Sequence, residues 1–141
     1  PTPDEAKQHY HFSNAIEGYC AAELAKAYAK NPKNIYVRRL KYIMQDMKEL
    51  LDDTTDFGEY FALDRQFHME LIDSLQDPYF SSLKSSGIGF LNHPELQLCE
   101  KIPRPKVYAC HKKILDAICK GEHSSAFDAM LEHAQLMLNY L

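Results

Sequence analysis

An all-α antiparallel bundle of about six or seven helices is the fold class that this sequence predicts. Three observations lead there. Only 5 glycines occur in 141 residues, strand-like alternation of apolar and polar residues is absent, and long segments repeat their apolar residues with the 3.6-residue period of a helix. The stretches between those segments are short, as antiparallel neighbours in a bundle require.

Thr2-Pro3-Asp4-Glu5 reads as a helix start, with Thr2 as N-cap, Pro3 in the first turn and Glu5 completing a capping box. The helix it opens is expected to reach Lys30 and to bury Phe12, Ile16, Tyr19, Cys20 and Leu24. Asn31-Pro32-Lys33-Asn34 is a turn. A second helix, about 35–53, carries Tyr36, Val37, Leu40, Ile43, Met44, Met47, Leu50 and Leu51 as one stripe. After the break at 53–58 a third helix places Tyr60, Phe61, Phe67, Leu71 and Leu75 on one face. Asp77 then offers an N-cap, and Pro78 occupies the first position of a fourth segment. Ser85-Ser86-Gly87 and Asn92-His93-Pro94 interrupt that segment, so a kinked or broken helix is expected there. Pro103-Arg104-Pro105 opens a fifth helix with the stripe Val107, His111, Ile114, Leu115 and Ile118, closed by Gly121. The last helix, about 123–141, is expected to bury Phe127, Met130, Leu131, Met137 and Leu138, with His133 at the margin of that face.

Composition bounds the function. Apolar residues make up 45% and charged residues 26% of the chain, an ordinary soluble balance sufficient for one domain with a proper core. The net charge of −4 and the lack of a basic block beyond Arg38-Arg39-Leu40-Lys41 argue against this stretch gripping DNA or an anionic membrane by itself. No apolar run has the length of a membrane span, and no signal peptide opens the chain. Cys20, Cys99, Cys110 and Cys119 lack CxxC spacing and read as reduced thiols in or near the core of a cytoplasmic protein. The chain begins Pro-Thr-Pro-Asp without Met, which fits a piece of a longer protein with a partner domain ahead of it.

The residues that carry chemistry are those that break the apolar pattern. Asp64 and His68 are four apart and project from the same side of the third helix as Phe67 and Leu71. A carboxylate and an imidazole facing a core cost several kcal/mol unless they are paired. His111 and His133 interrupt two further stripes in the same way. An acid four residues before a histidine is also how an ordinary hydrogen-bonded pair looks, and His111 or His133 taken singly fits a satisfied core histidine. Together, three imidazoles and a carboxylate from three helices form a donor set for Zn, Ni, Mn or Fe(II). His9 and His11 point in different directions on a helix, His123 sits beside Glu122 in a turn, and His93 precedes a proline; these read as surface or capping residues, with Asn92 and His93 retaining a chance of lining a cavity.

The motifs around those residues resemble a known domain. Phe61-Ala-Leu-Asp64-Arg-Gln-Phe67-His68-Met-Glu-Leu71 followed by Asp77-Pro78 is similar to D-x-x-F-H-x-x-L…N-P. Cys110-His111-Lys-Lys-Ile114-Leu-Asp-Ala117-Ile118-Cys-Lys-Gly121-Glu122 resembles H-x-x-I-x-x-A-I-x-x-G-D, and Ala126-Phe-Asp-Ala129-Met130-Leu-Glu-His133 resembles A-x-x-x-M-x-x-H. Spacings of 4, 43 and 22 between the four polar residues fit as well as their types. Over nearly its whole length the chain thus resembles the C-terminal ligand-sensing (FCD) domain of FadR-type regulators in the GntR transcription-factor family.

The resemblance implies an antiparallel bundle that forms a homodimer and binds a small carboxylic acid. It implies a divalent metal, zinc first, with nickel, manganese or iron as alternatives, on Asp64, His68, His111 and His133. It implies a winged helix-turn-helix ahead of this domain, through which alone the intact regulator meets DNA. Two departures stand out. Aligning Ile16-Glu17 with the family's first-helix pair puts Ser13 where an arginine often clamps the effector, and Asn92 falls near a lost basic position. A milder one is Asp77 in place of the usual Asn. Ser13, Glu17 and Asn92 are the candidate effector contacts, and a pocket without a guanidinium is expected to take a smaller, less charged or differently oriented effector. Glu17, Tyr19 or Gln135 are the candidates to fix imidazole tautomers. Two rivals are carried alongside the sensor: a metal-free helical interaction module whose four polar groups form a buried network, and a helical-bundle metalloenzyme.

Overall fold

The computed structural model describes residues 3–52, 57–85 and 101–140. Among them are six α-helices and no strand: α1 (Pro3–Lys30), α2 (Ile35–Glu49), α3 (Phe57–Asp73), α4 (Pro78–Ser82), α5 (Arg104–Cys119) and α6 (His123–Asn139). A single 3₁₀ turn, Leu83–Ser85, extends α4. The all-α class is therefore as the periodicity predicts. None of these helices is long and apolar enough to cross a membrane.

Local chemistry sets the ends. The Asn34 side chain caps α2 by accepting from the amides of Tyr36 and Val37 at 2.9 and 3.3 Å. Asp77 does the same for α4, accepting from Tyr79 and Phe80 at 2.8 and 3.4 Å with Pro78 at the first turn. Gly121 ends α5 at φ +70, where any side chain is strained, and the Glu122 amide closes back onto Ala117 O at 3.1 Å. Gln76 also adopts positive φ, at 56, to turn the chain between α3 and α4. The expected Thr2 cap, the end of the second helix at Asp53, the interruptions beyond Ser85, Asn92, His93 and Cys99 lie outside the described residues. Within them, α2 stops at Glu49, and Leu50 turns out of the helix with its amide on Met47 O.

The core joins all five long helices. Leu24 and Ala25 of α1, Leu40 and Met47 of α2, Phe67 and Leu71 of α3, Ile114 and Ile118 of α5, and Met130 of α6 pack into one cluster. The long α1 lies against α6, α5 and α3, and α2 against α3 and α5. Gly18 lets α1 and α6 close up, since a Cβ there would stand 2.9 Å from Phe127 Cε2. Arg104, at the start of α5, is buried: its Nη1 donates to Leu50 O at 2.6 Å and its guanidinium lies 4.9 Å from the Tyr60 ring centroid.

Several burial expectations need correction. Phe12 and Tyr19 are 56% and 48% exposed, and Ile16 is half-buried. The buried face of α1 runs instead through Ala6, Tyr10, Ser13, Asn14, Glu17, Ala21, Leu24 and Ala25. Three polar residues on the inward face misled the periodicity, because an apolar stripe does not mark the inside where the inside is itself polar. On α6, Leu131 is exposed and Phe127 and Leu138 are half-buried, whereas His133, expected at the margin, is buried. Phe61, Leu75, Tyr36, Leu50 and Leu51 are half-buried at the edges of their stripes. Among the described residues Cys20 is buried and Cys110 and Cys119 are half-buried, all three as free thiols.

Candidate metal centre

Three helices converge on one cluster. Asp64 and His68 stand one turn apart on α3, His111 is in the middle of α5, and His133 is in the second half of α6. One ligand atom from each of the four lies within 4.8 Å of every other. The imidazole centroids of His68 and His111, His68 and His133, and His111 and His133 are 5.3, 5.1 and 4.8 Å apart. All three rings are buried, and Phe67 stacks edge-on against His111 with centroids 4.7 Å apart, giving the cluster an apolar wall.

Two of the rings are aimed by what the outer nitrogen meets. His111 Nδ1 is 2.7 Å from Val107 O. A carbonyl only accepts, so Nδ1 carries the proton and Nε2 presents its lone pair to the cluster. His68 Nδ1 is hydrogen-bonded to Glu17 Oε1 of α1, which likewise turns Nε2 inward, 3.1 Å from Asp64 Oδ1. His111 Nε2 lies 2.6 Å from the same oxygen without hydrogen-bond geometry. Both Nε2 atoms thus converge on one carboxylate oxygen, His68 through a hydrogen bond that a metal ion would replace once the proton leaves. His133 carries the plainest signal, since it is 4% exposed and neither ring nitrogen has a hydrogen-bond partner among the described residues. An unpaired buried polar atom costs about 1–3 kcal/mol.

Electrostatics within the cluster follow from that geometry. Burial opposes charge on Asp64, but His111 and His68 outweigh it and hold the carboxyl well below its usual range. Burial likewise works against a charged His68, yet Glu17 and Asp64 on its two sides raise its pKa well above the usual value. His133 lacks a close carboxylate partner; burial, then His111 and His68, push its pKa well down, so it stays neutral. A neutral imidazole and an ionised carboxylate are the forms that bind metal. The residues fit a divalent ion: three nitrogen donors and one oxygen donor, two rings turned with Nε2 toward the cluster and a third with no partner among the described residues.

The four residues singled out from the sequence are thus brought together. Glu17, expected either as an effector contact or as an imidazole partner, is 1% exposed and takes the second position. Of its rivals for that place, Tyr19 is exposed, and Gln135 is exposed and donates to Asn139 Oδ1. Ser13 is buried one turn before Glu17, and its Oγ has no hydrogen-bond partner. Asn92 lies outside the described residues. The Val107 carbonyl and the buried Asn14 were not anticipated. A helix position four residues before His111 could have flagged the first, because that carbonyl is where an inward imidazole's Nδ1 can reach. His9, His11 and His123 are exposed and take no part in the cluster.

The family model described as FCD domain matches residues 8–136, which span all four clustered residues. Among curated proteins no sequence matches the chain.

Proposed function

The chain belongs to the FCD domain family of GntR-type regulators, and from that premise we propose that it is a metal-dependent sensor of a small carboxylic acid. Asp64, His68, His111 and His133 would hold one divalent ion, with zinc the first candidate. Such an ion supplies a Lewis-acidic centre with coordination positions left over for the oxygens of an effector carboxylate. The observation that carries this reading is His133: a fully protein-satisfied network would give its nitrogens partners, and among the described residues they have none.

The chain's own residues perform the rest. Val107 O and Glu17 hold two imidazoles in register, and Phe67 keeps water off one side. Through Glu17 the cluster reaches α1 as well as α3, α5 and α6, so one event there bears on the packing of four helices. In the intact regulator, that shift within a cytoplasmic homodimer would change the placement of two DNA-binding heads preceding this domain. Sensing is favoured over catalysis by one feature. Among the described residues, Glu17 is the carboxylate beyond Asp64 that touches the cluster, and it is already engaged with His68, which removes it as a base for activating water.

Elemental analysis of the purified chain beside His68→Ala and His133→Ala tests the proposal. The expected result is about one equivalent of divalent metal in the wild type and loss in both variants. A wild-type chain that takes up no metal, even with zinc or nickel supplied, overturns it and leaves a structural histidine cluster.

A further inference from the structure

Charge inside this bundle is distributed one-sidedly. All 16 Lys and Arg residues lie within the described residues, and every one except Lys84 and Arg104 is exposed. Lys84 is half-buried on Asp73 at 2.6 Å. Arg104 is committed to Leu50 O and the Tyr60 ring, and it precedes His111 by two helical turns, roughly 10 Å along the axis. Among the described residues, the charged groups in contact with the histidines are carboxylates, Asp64 directly on them and Glu17 on the far side of His68. Two carboxylates balance a divalent ion, leaving no surplus positive charge for a ligand with more than one anionic group.

What α1 offers beside Glu17 is neutral. Ser13 and Asn14 are 1% and 4% exposed, and among the described residues Ser13 Oγ and Asn14 Nδ2 have no hydrogen-bond partner. Spacings of four and three residues put both on the side of α1 that carries Glu17 to His68. A buried hydroxyl and a buried amide donor left unpaired call for a hydrogen-bond acceptor, which a carbonyl or amide oxygen supplies without adding charge.

Resting on the sensor reading above, we propose that the effector is a monoanion: one carboxylate at the metal, and an uncharged hydrogen-bonding tail read by Ser13 and Asn14. A second carboxylate in the same place is rejected, because it would add buried negative charge where the one buried Lys or Arg, Arg104, is already engaged.

Isosteric acids test this on the full chain loaded with zinc, its metal content measured first. Titration calorimetry would compare succinate with succinamate, which replaces one carboxylate by an amide of the same shape, and both with butyrate, which has neither. Succinamate is expected to bind at least about tenfold more tightly than succinate, the difference a misplaced buried charge makes, and more tightly than butyrate. In Ser13→Ala, checked for metal content and helicity, the preference for succinamate over butyrate should shrink while the discrimination against succinate persists. Succinate binding as well as or better than succinamate overturns the charge inference and leaves the metal reading standing. Retention of zinc with no binding of any of the three acids also overturns it. Failure to hold zinc overturns both readings together.

Discussion

His133 concentrates the conflict between stability and function in one side chain. Its two ring nitrogens are buried without partners among the described residues, and three surrounding effects keep it uncharged. In the metal-free chain His133→Leu should therefore stabilise the fold by about 1–2 kcal/mol, since an apolar group replaces an unsatisfied one. The same change should abolish metal uptake. Urea unfolding in the presence of a chelator checks the first half, and a destabilised variant would show that His133 has structural partners after all. Its titration adds a direction. The folded pKa lies below the ordinary 6.5, so the unfolded chain binds the extra proton as pH falls through 6.5, and this residue's contribution to stability declines there. His133→Leu should flatten that acid limb.

His68 behaves in the opposite sense. Its folded pKa is raised, so in the metal-free chain its stabilising contribution is complete below about 6.5 and is lost as pH rises through the folded value. A ligating Nε2 must give up its proton, so metal affinity should increase with pH until the folded pKa of His68 is passed. Near neutrality about one proton should be released per metal bound, since His133 is already neutral. Calorimetry in buffers of different ionisation enthalpy measures that number, and a value near zero would contradict the assignment of His68 as a protonated ligand. Both residues were legible in the sequence as polar intrusions on helical stripes. Their proton states were not, because these depend on Glu17, fifty-one positions away from His68.

Among the elements, α1 departs furthest from its sequence pattern. Phe12 and Tyr19 mark an apparent stripe that faces outward, while Ser13, Asn14 and Glu17 face in. Helices such as α2, whose inner face is purely apolar, were read correctly as far as Met47; α1 was not, because its inner face serves the cluster. Contact between α1 and α6 depends on Gly18, where an added methyl would meet Phe127 at 2.9 Å. Gly18→Ala should cost about 1–3 kcal/mol through that overlap, despite alanine's better helix propensity. Thermal unfolding decides it: a variant as stable as the wild type would mean that Phe127 swings aside at no cost. The caps at Asn34 and Asp77 belong to the opposite case, since a short side-chain oxygen acting on amides two and three residues ahead is a local event that sequence displays.

For the molecule as a whole, the clustered residues join α3, α5 and α6 directly and α1 through Glu17. A metal held there binds the folded chain and not the unfolded one. Saturating zinc should accordingly raise stability by RT ln(1 + [M]/Kd), about 2.7 kcal/mol at a hundredfold excess over Kd, and chelation should reverse the gain. Differential scanning calorimetry with zinc, with chelator and with His111→Ala supplies the comparison. An unchanged melting temperature on adding zinc would argue that the four side chains do not close on an ion.

The helical class, most helix limits and the four members of the cluster were determined by the sequence alone, because period, caps and a polar residue within an apolar stripe are local features within a few residues of chain. Their spacing also matched a family motif, and that family is the one to which the chain belongs. Only the tertiary structure decided that the four meet, that Glu17 and Val107 aim two of the rings, that His133 has no partner among the described residues, and that Arg104 alone of the Lys and Arg residues is buried. Those facts depend on the angles at which α1, α3, α5 and α6 cross, and crossing angles come from the packing of whole helix faces, including the close approach at Gly18.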